Sequence, residues 1–142
     1  MNLTIDASVF VAASRAPEAN HTVSLDFLRR VEEQEANIFC PTLALAECAA
    51  AIARRTDRED LAEELITFIE NFPNLYLVSL DATLAHRASE IAITHRIRGA
   101  DSIYVAVAES ANAELITWDD EMLQRGRNLV STLTPVEWID NQ

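Results

Sequence analysis

The sequence of 142 residues contains no lysine, so all eleven of its basic residues are arginine. That absence removes the phosphate-binding lysine of P-loop nucleotide triphosphatases, Schiff-base chemistry on an amine, and the lysine that receiver domains set beside their acidic pocket. Glycine is nearly as scarce, with only Gly99 and Gly126, and a G-x-G-x-x-G dinucleotide loop cannot be built from two. Cys40 and Cys48 form neither a C-x-x-C pattern nor a zinc-ligand set and read as reduced packing residues. No apolar run approaches the roughly 20 residues of a membrane span, and the N-terminus has neither the basic region nor the length of a signal peptide. A cytoplasmic protein with no membrane segment is expected.

What the chain does have is a hydrophobic content of 49% and a length suited to one domain covering residues 1–142. Short apolar, β-like runs at 2–5, 38–40, 75–78, 114–117 and 128–132 alternate with helical periodicity at 7–13, 21–35, 41–53, 82–96 and 102–108. A further helix follows Thr56-Asp57 as cap and stops at Asn71-Phe-Pro73, and a short one spans 119–125. Asp81 is a plausible N-cap, and Gly99 breaks the pattern before Asp101 opens a new helix. Alternation of this kind predicts an α/β fold, a three-layer α/β/α sandwich around a short parallel sheet.

Glu47 is the only charged residue in the small, aliphatic stretch 41–53, a helix that Pro41 can open. Leu43, Ala46, Glu47, Ala50 and Ala51 share one face at the spacing of a buried stripe, so Glu47 is expected to point inward. A buried carboxylate must be protonated, salt-bridged or bound to a cation. Asp6 and Asp119 each follow a strand, Asp101 opens a helix, and Glu47 lies about one turn into another. In open parallel sheets ligands gather outside the carboxyl ends of the strands. Four carboxylates converging there would raise one another's pKa values unless a cation sat among them, and hard oxygen ligands suit Mg²⁺ or Mn²⁺. Taken singly, each aspartate can be a helix N-cap, and Glu47 can pair with an arginine such as Arg54 or Arg98.

The order and setting of these acids resemble the PIN-domain nuclease family, in particular the single-domain VapC-type toxin ribonucleases. The resemblance rests on Leu3-Thr-Ile-Asp6-Ala-Ser8, on Pro41 through Glu47-Cys-Ala-Ala, on Arg98-Gly-Ala-Asp101 through Ala108, and on Leu115-Ile-Thr-Trp-Asp119. It implies that Asp6, Glu47, Asp101 and Asp119 are the metal-binding and catalytic acids, with Ser8 and Thr117 supporting them from behind. Trp118 before the last acid, and Asp120 and Glu121 after it, depart from the commonest pattern, which leaves open whether Asp120 also reaches the metal. The resemblance further implies endonucleolytic cutting of RNA to a 5′-phosphate and a 3′-hydroxyl, a homodimer, and a small VapB-type antitoxin that covers the acidic groove.

Chemistry supports phosphodiester hydrolysis without the family, since one or two divalent ions can activate water and hold a scissile phosphate with no protein nucleophile. The net charge of −12 opposes RNA capture, so affinity is expected from the metals and a local arginine patch. Arg54, Arg96 and Arg98 are the candidates, with Arg55 and Arg58 in the same run. Trp118 can stack on a base or simply pack. A haloacid-dehalogenase-like phosphatase is excluded because position 8 is serine, where that family resembles an Asp-x-Asp pattern, and lysine is absent. The remaining alternative is a PIN-like interaction module with weak or no nuclease activity.

Overall fold

In the computed structural model, which describes residues 1–142, five short strands form one all-parallel sheet. They are β1 (Asn2–Ile5), β2 (Asn37–Pro41), β3 (Leu75–Val78), β4 (Glu114–Ile116) and β5 (Thr132–Leu133), in the spatial order β3-β2-β1-β4-β5. Eight helices join them: α1 (Ala7–Ser14), α2 (His21–Glu33), α3 (Leu43–Thr56), α4 (Glu59–Glu70), α5 (Ala82–His95), α6 (Gly99–Ser110), α7 (Asp120–Gly126) and α8 (Pro135–Asp140). α5 and α6 pack together, and α6 lies against β1, β2 and β4. α1, α2, α3 and α4 form a second connected group, with α8 packed on α2. The central strand β1 is therefore covered by helices, and its Leu3, Thr4 and Ile5 are fully buried.

The strand order fixes where a ligand can sit. From β1 the chain moves outward through β2 to β3, then returns to pair β4 on the opposite side of β1. The order thus reverses between β1 and β4, and the crevice outside their carboxyl ends is the topological switch point of the sheet. The amide of Asp6 closes this seam by donating to the Ile116 carbonyl at 2.9 Å.

A connected core of 32 buried residues includes Leu3 at one end of the sequence and Trp138 at the other. Phe27 on α2 meets Trp138 on α8 edge to face, ring centroids 5.1 Å apart. No helix is long and apolar enough to cross a membrane.

Several local expectations are corrected. Pro41 ends β2 rather than opening a helix, and α3 begins at Leu43. Thr56 and Asp57 end α3 instead of capping α4, with Asp57 left-handed at φ 54°. Gly99 is the first residue of α6, not a break before it, and Asp101 sits in the first turn rather than at the N-cap, which is Arg98. The last strand is Thr132–Leu133 rather than 128–132. The buried face of α3 is Ala44, Cys48 and Ile52, while Ala46 and Ala50 of the expected stripe are exposed. Glu47 is consequently half-buried at the margin of that face. α8 was not expected at all. It carries a capping box in which Thr134 Oγ1 accepts from the Glu137 amide and Glu137 accepts from the Thr134 amide, with Pro135 in its first turn.

Glycine scarcity leaves its mark on the turns. Both glycines have negative φ, and the left-handed positions fall to Glu35, Asp57, Asn74, Arg96 and Asn112. At Glu35 and Asn112 the helix ends are Schellman motifs: the amides of Ala36 and Ala113 donate back to Val31 and Ala108, and those of Glu35 and Asn112 to Glu32 and Glu109.

Candidate active site

Asp6, Glu47, Asp101 and Asp119 all line one cleft of about 560 Å³ above the β1/β4 seam. Four separate segments deliver them. Asp6 leaves β1 as the N-cap of α1, Glu47 projects from the second turn of α3, Asp101 from the first turn of α6, and Asp119 leaves the β4 side as the N-cap of α7. For Asp6 and Asp119 the cap and cleft positions coincide. Asp119 Oδ1 accepts from the Met122 amide at 2.8 Å while Oδ2 faces the cleft.

The support behind Asp6 is a small hydroxyl network. Its Oδ2 accepts from Ser8 Oγ at 2.6 Å and from Thr117 Oγ1 at 2.9 Å. The same two hydroxyls accept backbone amides: Ser8 Oγ from Trp118 at 3.1 Å and Thr117 Oγ1 from Asp119 at 3.0 Å. Ser8 and Thr117 thereby tie the carboxylate after β1 to the backbone that carries the one after β4. Burial pushes the Asp6 pKa up, against the pull of these hydrogen bonds, and the charge of Asp119 adds to the rise.

Glu47 has a neutral partner, and neither Arg54 nor Arg98, the arginines open to it from sequence, pairs with it. The hydroxyl of Tyr104, on a fully buried side chain of α6, donates to Glu47 Oε1 at 2.7 Å. Burial raises the Glu47 pKa, the Tyr104 bond opposes the rise, and the charges of Asp6 and Asp101 reinforce it. Burial and the charges of Asp6 and Glu47 raise the Tyr104 pKa far above its ordinary value, so its hydroxyl stays a donor. Asp101 is raised chiefly by burial and, further, by Asp119 and Asp6, with Arg98 pulling it back. Tyr104 is three residues from Asp101, and that helical spacing was the only sequence signal for its role.

Arg98 is the cation of the cluster. Its Nε donates to Asp101 Oδ2 at 2.9 Å, its Nη2 to Asp119 Oδ2 at 2.6 Å, and Glu121 Oε2 lies 3.8 Å away. Arg55, not Arg54, lines the cleft, and it is paired with Glu18 at 2.6 Å. Arg54 and Arg96 are exposed, lie outside the cleft lining, and are the two arginines without an ion pair. Asp120 is exposed and does not line the cleft. The half-buried indole of Trp118 does line it, and is pinned by its N–H to Ser24 Oγ at 2.9 Å. None of the three histidines lines the cleft; His86 is exposed and His95 is half-buried.

The model of the PIN domain family matches residues 3–128. This chain belongs to the PIN domain family. No curated protein sequence matches it. Among solved structures, the PIN chain is similar to Mycobacterium tuberculosis VapC20, a sarcin-ricin loop cleaving toxin, with TM-score 0.70 at 18% identity over 86% of this chain and 94% of that one. It is also similar to VapBC2 from Rickettsia felis, bound to a DNA fragment from their promoter, with TM-score 0.72 at 14% identity over 94% and 98%. FitAcB from Neisseria gonorrhoeae gives TM-score 0.69 at 18% identity over 96% and 99%. At such identities the likeness is one of fold, and it bears out the parallel sheet flanked by helices. The family match ends before α8, so the Trp138 anchor lies outside it.

The donor set suits a hard divalent cation: Asp6, Glu47, Asp101 and Asp119 line one cleft with no histidine or cysteine, the fifth carboxylate there, Glu18, being paired with Arg15 and Arg55, and three of the four are raised partly by their neighbours' charge. As the side chains stand, no three are gathered tightly enough to hold an ion. Asp101 and Asp119 are turned to Arg98, Glu47 to Tyr104, and Asp6 to Ser8 and Thr117.

Proposed function

We propose that the chain is one PIN-like nuclease domain, a cytoplasmic Mg²⁺- or Mn²⁺-dependent endoribonuclease that hydrolyses RNA phosphodiester bonds as the toxin of a toxin-antitoxin pair. The observation that carries the reading is the delivery of four carboxylates from four segments to the switch point of the sheet. Helix capping accounts for Asp6 and Asp119, and the first turn of α6 favours an acid at Asp101, whereas Glu47 has no such structural duty.

Asp6, Glu47, Asp101 and Asp119 are the residues to hold one or two ions. What a divalent ion supplies when bound is activation of water for attack on phosphorus and neutralisation of phosphate charge. The chain's own groups do the positioning. Ser8 and Thr117 fix Oδ2 of Asp6 and leave Oδ1 without a hydrogen-bond partner, and Tyr104 holds Glu47 Oε1. Arg98 and Arg55 in the cleft lining, with Arg54 and Arg96 exposed outside it, supply the cationic surface for the RNA backbone, which a −12 protein otherwise repels. Trp118 offers a ring in the cleft wall on which a base can stack.

The toxin reading draws on the VapC20, VapBC2 and FitAcB folds and carries with it a homodimer and a VapB-type antitoxin whose basic arm suits the acidic cleft. The test is incubation of purified protein with structured RNA in Mg²⁺ or Mn²⁺ beside Asp6→Asn and Glu47→Gln. Cleavage by the wild type and a loss of at least a hundredfold in both variants is expected. Equal cleavage by all three would remove the site, and no cleavage by clean wild type would favour the interaction module.

A further inference from the structure

Arg98 engages one carboxylate oxygen from each of two acids that line the cleft. Asp101 Oδ2 and Asp119 Oδ2 come from different helices, and one guanidinium joins them with two short, charge-assisted hydrogen bonds. The side chain itself is anchored only at its base. Ile97 beside it is 4% exposed and packs in the core, whereas 59% of the Arg98 side chain remains in solvent. A guanidinium so exposed gives up an ion pair at little cost.

We propose that Arg98 is an internal counter-cation, which holds Asp101 and Asp119 in the metal-free protein and is displaced from both when a divalent ion binds. This rests on the metal-dependent reading above and adds the step by which the site becomes ready. Metal and arginine compete for two carboxylates, so the metal-competent arrangement is only part of the metal-free population and apparent affinity is lowered accordingly. The same event turns the guanidinium away from both aspartates, with Glu121 its remaining carboxylate neighbour, and frees it to meet a phosphate. A permanent ion pair would deny the substrate that cation; a displaceable one makes phosphate capture conditional on metal.

The test uses the full chain without RNA. Mn²⁺ binding is measured by calorimetry and by electron paramagnetic resonance of free Mn²⁺ for wild type, Arg98→Ala, Arg98→Gln and Arg96→Ala. Both Arg98 variants are expected to bind roughly threefold to tenfold more tightly than wild type, and to melt at lower temperature in chelator because two acids lose their counter-ion. Arg96→Ala removes the same charge two residues away from a side chain with no carboxylate partner, and is expected to change affinity less than twofold. In wild type, the Nε–H resonance of Arg98, assigned by its absence from Arg98→Gln, is expected to move to a solvent-exposed position on saturation with Mg²⁺. Equal gains at Arg96 and Arg98, no gain at Arg98, or an Arg98 resonance unmoved at saturation would each overturn the displacement while leaving the metal site standing. Absence of Mn²⁺ binding in wild type and variants alike would instead remove the metal-dependent reading, and the displacement with it.

Discussion

Glu47 is held at the margin of the interior by the hydroxyl of Tyr104, a partner that comes from a different helix. Removing that hydroxyl while keeping the ring, by Tyr104→Phe, leaves a partly buried carboxylate oxygen without its donor. The expected cost is about 1–2 kcal/mol in urea unfolding, together with weaker cleavage; an unchanged midpoint would show that the bond is idle. The raised pKa of Glu47 gives a second expectation, with a definite sign. The native protein retains a proton there that the unfolded chain releases, so stability declines as pH rises from the ordinary glutamate range, about pH 4, through the raised native value. Glu47→Gln lacks that decline. In chelator its stability relative to wild type should grow as pH rises above about 4 and stay higher at neutrality, whereas a gap independent of pH would mean that Glu47 does not titrate differently in the two states. Asp6, Glu47 and Asp101 were legible in the sequence because each stands isolated among apolar or turn residues, and Asp119, first of three successive acids, because it follows a strand at the Thr-x-Asp spacing. Tyr104 was not, because an aromatic on an apolar helix reads as core and the direction of its hydroxyl is set by tertiary packing. Arg54 and Arg55 were indistinguishable in sequence, since only the rotation of α3 decides which one faces the cleft.

At the scale of elements, the helix ends show what a shortage of glycine does. Glu35 occupies the left-handed C′ position of a Schellman motif at φ 52°, where a Cβ crowds the backbone. Glu35→Gly relieves that contact and should stabilise the protein by about 1 kcal/mol in thermal or denaturant unfolding. A loss of stability would mean that the glutamate side chain contributes more than its backbone strain costs. Long helices and the first, second, third and fourth strands followed from periodicity. The faults lay where two signals competed: Pro41 satisfies both a helix start and a strand end, and Gly99 both a break and a first turn. α8 escaped because six residues carry little period, although Thr134-Pro135-Val136-Glu137 spells a capping box with a proline in the first turn. The expected stripe on α3 failed because alanine is equally at home on either face of a helix, and only Cys48 and Ile52 marked the buried side.

For the molecule as a whole, charge is the governing quantity. Nine arginines are tied to carboxylates, which leaves few cations to release counter-ions from RNA. If Arg54, Arg55, Arg96 and Arg98 all reach phosphates, single-strand binding should weaken with salt at a slope no steeper than about −3 in log–log form. Titrating the Glu47→Gln variant with RNA across monovalent salt concentrations checks this, and a slope near −6 would point to a cationic surface that the fold does not display. The strand order has a further consequence, for the chain during its synthesis. β1 is made first but sits at the centre of the sheet, and its β4 neighbour comes more than a hundred residues later. The hydroxyl of Thr117 reaches Asp6 across 111 positions of sequence. A nascent or truncated chain that stops short of β4 carries three of the four acids but lacks Asp119 and the Thr117 hydroxyl that holds Asp6. The cleft with its four acids is thereby left incomplete until β4 and the start of α7 have been translated.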